Sequence, residues 1–188
     1  KQPALLVAKT QKPQRVLMVL TSHNKLGSTG KQTGWYLPEA AHPYEVFKAA
    51  GIRMDWASPR GGEAPLDCSS VEATKTDAVS QAFATDPALA KNWKRTKKLS
   101  DCKSSDYDVV FFVGGFGTMW DFPDDKNVQR LVREVYEQDG IVAAVCHGPC
   151  ALANVKLGDG SLLVKGHAVT AFTNAEEDAV DYRSVVPW

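Results

Sequence analysis

Apolar positions along this chain follow two rhythms. Short, largely apolar runs at Arg15 to Leu20, Ile52 to Ala57, Asp108 to Val113 and Ile141 to Val145 alternate with stretches where apolar residues recur every three or four positions. The runs have the length of strands, and because polar residues do not alternate within them, they predict strands covered on both faces. The second rhythm predicts helices. Leu37, Ala40, Ala41, Tyr44 and Phe47 share one helical face, and Val128, Leu131, Val132, Val135 and Tyr136 share another. Pro38 suits a first helical turn, Gly51 and Gly140 suit helix stops, and Pro43 predicts a kink or restart. Continuous strands alternating with amphipathic helices predict a parallel α/β sheet, whose ligands lie at the carboxyl ends of the strands.

Elsewhere the pattern weakens. Lys1 to Gln14 has no period and two prolines, which predicts an arm (1–14) ahead of a single domain over 15–188. Thr21 to Gly34 reads as a polar loop. From Ser58 to Asp106, a turn rich in Pro and Gly, a modest helical stretch near Val79 to Phe83 and a basic run from Lys91 to Lys98 predict an excursion from the core. That run holds five basic residues around Trp93, a mixture also used on nucleic acid. Lys plus Arg and Asp plus Glu are both 22, however, so no net field favours phosphate, and a solvated helix face is the better reading.

The 188 residues suffice for one core, and 44% hydrophobic with 23% charged residues excludes disordered or fibrous classes. No apolar run approaches the roughly 18 residues of a spanning helix. Neither nucleic acid nor membrane is expected as a partner. Cys68, Cys102, Cys146 and Cys150, with no visible signal peptide, predict reduced thiols and a cytoplasmic setting. His23, His42, His147 and His167 show no H-x-x-x-H spacing and the cysteines no C-x-x-C spacing, so no metal site is expected.

The strongest chemical signal is I-V-A-A-V-C-H-G-P at Ile141 to Pro149, a buried strand that ends at Cys146 and passes at once into a helix-like segment, Gly148 to Asn154. Ala144 and Gly148 supply the small residues that a nucleophile elbow needs two positions either side of its nucleophile. A thiol at a helix N-terminus is expected to have a lowered pKa. V-G-G-F-G at Val113 to Gly117 ends another strand, and the backbone N–H of Gly115 with that of His147 would form an oxyanion hole. Gly114 and Phe116 are the expected substrate contacts at that turn. His147 is a candidate acid and base. Glu39, in the first turn of its helix, would share a proton with the thiol only if that end faces the elbow, and spacing alone favours a surface glutamate. Cys150 reads as packing, with a resolving thiol as the alternative.

These residues resemble the ThiJ/PfpI superfamily, and within it the branch of glutathione-independent glyoxalases (glyoxalase III), which includes heat-shock chaperones. The resemblance runs from Arg15 to Trp188 through T-G-W-Y-L-P-E-A-A-H-P-Y (Thr33 to Tyr44), K-L-S-D (Lys98 to Asp101), D-Y-D-V-V-F-F-V-G-G-F-G-T-M-W-D-F-P (Asp106 to Pro123), A-V-C-H-G-P (Ala144 to Pro149) and A-F-T-N-A-E-E (Ala171 to Glu177). It implies a flavodoxin-like three-layer sandwich with a mostly parallel sheet, similar to class I glutamine amidotransferases. It further implies Cys146 as nucleophile, His147 as its proton-transfer partner, Glu39 bonded to the thiol, and Glu177 orienting the histidine. Phe116 stands where the family usually has histidine. Relatives continue through a further helix and strand beyond the point matching Trp188, so the resemblance leaves open whether that part was lost or another chain completes the edge.

The activity implied is cofactor-free conversion of a dicarbonyl, methylglyoxal or glyoxal, to D-lactate or glycolate, by a homodimer. A holdase chaperone, deglycase or oxidant sensor that uses Cys146 as an oxidisable thiol is the alternative. A cysteine peptidase or amidotransferase fits less well, because the histidine adjoins the cysteine and no downstream His-x-Glu pair exists.

Overall fold

A computed structural model describes residues 13–187, so the predicted arm falls outside the described residues except for its last two positions, as does Trp188. The predicted strands form as β1 (Arg15–Val19), β2 (Arg53–Ser58), β4 (Val109–Phe112) and β5 (Ile141–Ala144), with a two-residue β3 (Lys97–Lys98) that the pattern did not announce. They make a five-stranded sheet of order β3-β2-β1-β4-β5 in which every pair is parallel. The chain winds outward from β1 in both directions. The crevice outside the carboxyl ends of β1 and β4, where the winding reverses, is where such sheets bind ligands.

Central strands explain their unbroken apolar runs by burying both faces. Val16, Met18 and Leu20 face one core with Trp56, Val109 and Val113, while Leu17 and Val19 face the other with Ala57, Val110 and Phe112. Each fully buried Val or Leu contributes about 1.5–3 kcal/mol of transfer free energy. The first core is closed by α1 (Leu37–Ala49) through Leu37, Ala40 and Ala41. The second is closed by α6 (Lys126–Glu137) through Val128, Leu131, Val132 and Val135, with Asp125 capping the helix. Tyr136, counted in that stripe, is 40% exposed.

Three expectations are corrected. α1 runs through Pro43 as one uninterrupted helix, and the surrounding packing holds the two halves together despite the missing N–H. It stops at Gly51 as expected, with φ +72° and the Gly51 and Ile52 N–H groups donating to Lys48 and Phe47 carbonyls.

The stretch from 58 to 106 is no excursion. α2 (Cys68–Ala73), α3 (Ala78–Thr85) and α4 (Pro87–Lys94) are each capped by an aspartate, Asp67, Asp77 and Asp86, whose side chain accepts a first-turn N–H. Phe83 and Trp93 turn inward and pack with Trp35 and Trp56, so the aromatic ring of the basic run belongs to the core. Its lysines and Arg95 are exposed.

β5, apolar throughout and expected to be covered on both faces, is an edge strand with Ile141 51% exposed. No helix among the described residues is long and apolar enough to cross a membrane.

Candidate active site

Beyond β5 the Val145 N–H still donates to the Phe112 carbonyl, and then the chain turns sharply. Cys146 has φ +57°, the left-handed region that costs an L-residue roughly 1–2 kcal/mol. A Cβ at Gly148 would lie 2.7 Å from the Phe112 carbonyl oxygen, so a larger residue there would push the turn off β4. The elbow geometry read from the small-x-Cys-x-small pattern is therefore present, and a 3-10 turn over Gly148–Leu152 follows it.

His147 is 4% exposed and both its nitrogens are engaged. Nδ1 lies 3.2 Å from the Cys146 sulfur, and Nε2 lies 2.6 Å from Glu177 Oε1. A carboxylate accepts only from a nitrogen that carries hydrogen, which assigns the proton to Nε2 and leaves Nδ1 as an acceptor for the thiol proton. Glu177 comes from α7 (Asn174–Val180), which starts in a reciprocal capping box between Thr173 and Glu176. The Phe172 N–H, just before that cap, donates to the Cys146 carbonyl at 2.8 Å and fastens this segment to the elbow.

On the other side of the sulfur stands Glu39. Gly114, at the end of β4, accepts from the Tyr36 N–H at 3.1 Å and donates its own N–H to Glu39 Oε2 at 2.9 Å. These two bonds dock the first turn of α1 against the elbow, and Glu39 Oε2 and, at 2.8 Å, Cys146 Cβ both crowd the position a Gly114 Cβ would take. Glu39 thus lies beside Cys146, bonded to Gly114, and not on the open surface that spacing favoured. Gly114 has its N–H committed to that carboxyl. The backbone N–H groups of Gly115 and His147 act on the thiol in the direction that favours the thiolate.

Burial dominates the electrostatics. The Cys146 thiol is pushed up to about 12, first by burial and then by the neighbouring Glu39, outweighing the two N–H groups that favour the thiolate. The expected lowering of this pKa is not found, because the helix after the elbow is a five-residue 3-10 turn and the carboxyl opposes ionisation. Burial also raises Glu39 to about 7, against the opposing effects of Cys146 and of the Gly114 N–H, and lowers His147 despite Glu177. Near neutral pH the thiol keeps its proton beside a neutral imidazole.

Phe116, in the turn after β4, lies against the His147 ring at 4.5 Å between centroids. The remaining candidates lie apart from this constellation. His23 stacks on Trp120 and His42 pairs with Asp77, while Cys150 is buried and donates to the Thr118 carbonyl, as its packing reading expects. Among the described residues no group of three or more His, Cys, Asp or Glu side chains is arranged to hold a metal ion.

A family model described as the DJ-1/PfpI family matches residues 34–186, which span α1, the β4 turn, the elbow and α7. The chain belongs to the DJ-1/PfpI family. Among family members it is 37% identical over 183 residues to a Candida albicans protein named Glyoxalase 3, covering 92% of this chain and 74% of that one. It is 31% identical to the Saccharomyces cerevisiae protein named Glutathione-independent glyoxalase HSP31, over 93% of this chain and 75% of that one. Among solved structures, glyoxalase III from Candida albicans matches with a TM-score of 0.83 at 35% identity, over 92% of this chain and 73% of that one. Rapid Encystment Protein 24 KDa from Francisella tularensis matches with a TM-score of 0.88 at 39% identity, over 93% and 77%.

Within this DJ-1/PfpI fold the structure brings Cys146, His147, Glu39, Glu177, Gly114, Gly115 and Phe116 to one place. Sequence reasoning missed Phe172, whose ring stacks on His147, and Tyr182, which packs edge-on against Phe116. Phe172 lies inside the motif Ala171 to Glu177, but no spacing rule announces which ring a phenylalanine will meet.

Proposed function

We infer that this chain is a glutathione-independent glyoxalase that converts methylglyoxal to D-lactate and glyoxal to glycolate, with Cys146 as nucleophile. The observation that carries this reading is the placement of the Cys146 side chain at 3.2 Å from the His147 Nδ1 and against the buried Glu39 carboxyl at the Gly114 turn. The names of the relatives at 31–37% identity point the same way.

In this reading His147 Nδ1 takes the thiol proton as the sulfur attacks the aldehyde carbon. Glu177 stabilises the imidazolium that forms, so a high thiol pKa in the resting site does not prevent the attack. The oxyanion falls to the N–H groups of Gly115 and His147. His147 then moves the proton from the former aldehyde carbon to the neighbouring carbonyl carbon through an enediol, leaving a thioester to Cys146. Water hydrolyses that thioester and restores the thiol. Atoms balance as one dicarbonyl plus one water giving one hydroxy acid, so the sequence needs no outside oxidant or reductant. Glu39, near its midpoint at pH 7, exchanges protons with the site. Phe116 borders the substrate and presents an apolar ring.

The alternative of a thiol kept for oxidation is less favoured, because redox-sensing cysteines are exposed and low in pKa, and Cys146 is neither. A homodimer is carried forward on the family resemblance, with light scattering of the purified chain as its test. The function itself is tested by D-lactate production from methylglyoxal without glutathione. Stoichiometric D-lactate from wild type is the expected result, and its absence would remove the reading.

A further inference from the structure

One short segment does three things for His147. The Phe172 N–H ties to the Cys146 carbonyl at 2.8 Å, Thr173 caps α7, and four residues later Glu177 receives the Nε2 hydrogen. The Phe172 ring meanwhile stacks on the imidazole, with centroids 4.4 Å apart and planes 29° apart. Phe116 stands 4.5 Å from the same ring and 6.3 Å from Phe172, so the two phenyls subtend close to a right angle at His147 and form an apolar corner. Tyr182 packs edge-on against Phe116 at 5.1 Å and backs it, with its hydroxyl accepting from Lys31 Nζ at 3.2 Å.

We propose that Phe172 is a positioning residue for His147: its ring sets the plane of the imidazole, so that Nδ1 meets the Cys146 sulfur while Nε2 meets Glu177, and keeps water off that face. The argument is geometric. Both nitrogens lie in the ring plane, and rotation about the Cβ–Cγ bond breaks both contacts at once. The two hydrogen bonds act at the ring's edge and leave its tilt soft. An aromatic plane stacked on the face removes that freedom, and stacked aromatic pairs are worth about 0.5–1.5 kcal/mol beyond area burial.

A dry face also disfavours the charged imidazolium, in line with the lowered pKa of this histidine and against the pull of Glu177 and Glu176. The titratable groups around the ring are Cys146 at the end of β5 and Glu176 and Glu177 of α7, with Glu39 of α1 beyond the sulfur. The turn after β4 contributes the uncharged Phe116.

The activity readout rests on the glyoxalase reading, but the decisive readout needs no substrate. The His147 ring proton resonance is titrated by NMR in the whole chain, for wild type, Phe172→Ala, Phe172→Leu and Phe172→Tyr. Phe172→Ala should move the His147 midpoint up by about half a pH unit or more as water reaches the face. It should also lower kcat about tenfold with KM changed less than about twofold, as expected for a proton-transfer group out of place. The acid limb of the kcat profile should move up in parallel. Phe172→Tyr keeps the ring and should restore both values. Phe172→Leu keeps the face dry without imposing a plane, so kcat should fall while the midpoint stays near wild type. An unchanged midpoint together with an unchanged kcat in Phe172→Ala overturns the proposal. Should that variant not fold, wild-type kcat in Phe172→Leu overturns it instead. A wild-type chain that makes no D-lactate, but whose His147 midpoint still moves in Phe172→Ala, would sink the glyoxalase reading and leave the positioning role standing.

Discussion

Two carboxyls in this molecule, Glu39 and Asp121, are both pushed up to about 7 by burial, yet they serve different ends. Asp121 closes α5 (Thr118–Asp121) and accepts from the Thr21 hydroxyl at 2.8 Å and from the Ser22 N–H at 2.7 Å, tying the loop after β1 to the loop after β4. Glu39 accepts from one backbone N–H and faces a thiol. The Thr21 hydroxyl and Ser22 N–H that hold Asp121 do not titrate near neutrality, while the thiol beside Glu39 carries a movable proton. A displaced pKa therefore marks desolvation, and chemistry follows only where a second group within reach can exchange the proton.

The sharpest way to break this comparison is at the shared partner. Cys146→Ala should reduce D-lactate production to background while far-UV circular dichroism and Tm stay near wild type. Turnover in that variant would remove the thiol from the chemistry and leave Glu39 no different in kind from Asp121.

Next in size, Glu39→Ala should lower kcat about 100-fold, within the range of acid–base groups. Asp121→Ala should leave turnover per folded molecule within about twofold, read in parallel assays corrected for the folded fraction. Similar losses in both would erase the distinction.

Stability should show the converse. Asp121→Ala leaves the Ser22 N–H and Thr21 hydroxyl without their acceptor and should cost about 1–3 kcal/mol in urea unfolding. Asp121→Asn keeps an acceptor and should cost less.

A last effect joins the two carboxyls. Each has a folded pKa, about 7, above the ordinary 4.5 for Glu39 and 3.8 for Asp121, so the stability each contributes is complete below its unfolded pKa and is lost as pH rises through 7. The urea midpoint of wild type should therefore fall between about pH 5 and 8, and fall less in the Glu39→Gln, Asp121→Asn double variant. His147, whose pKa is lowered from 6.5, acts with the opposite sign at and below 6.5 in both proteins, and Asp55 and Asp77 do so at and below 3.8, so the carboxyls are read from the difference between the two slopes. An equal slope in both proteins would show that these carboxyls are not the source.

Much of the fold was open to a reading of period alone. β1, β2, β4 and α6 begin and end within about two residues of their apolar runs, because a strand or helix buried along a whole face must repeat that face in sequence. Between 58 and 106 the helical stretch near Val79 to Phe83 formed as α3, while α2 and α4 escaped because they are short and their turns bury few residues. All three starts were nonetheless written in Asp67, Asp77 and Asp86, each at a helix N-cap. Lys97–Lys98 gave no strand signal, as both residues are exposed at the sheet's edge.

At the site the division is sharper. The elbow needs only residues 144 to 148, since small neighbours and a left-handed nucleophile are local requirements, and Cys146 and His147 were legible from that span, with Gly115 read from the separate glycine turn after β4. Glu39 and Phe172 were not assigned their contacts by any spacing. The first reaches the sulfur because Gly114 pins α1 with two hydrogen bonds, and the second reaches the imidazole because its N–H is held by the Cys146 carbonyl. The thiol pKa shows why the boundary falls there. The local turn favours ionisation, but a carboxyl brought from another element and the burial of the crevice oppose it more strongly, so only the assembled fold decides the sign.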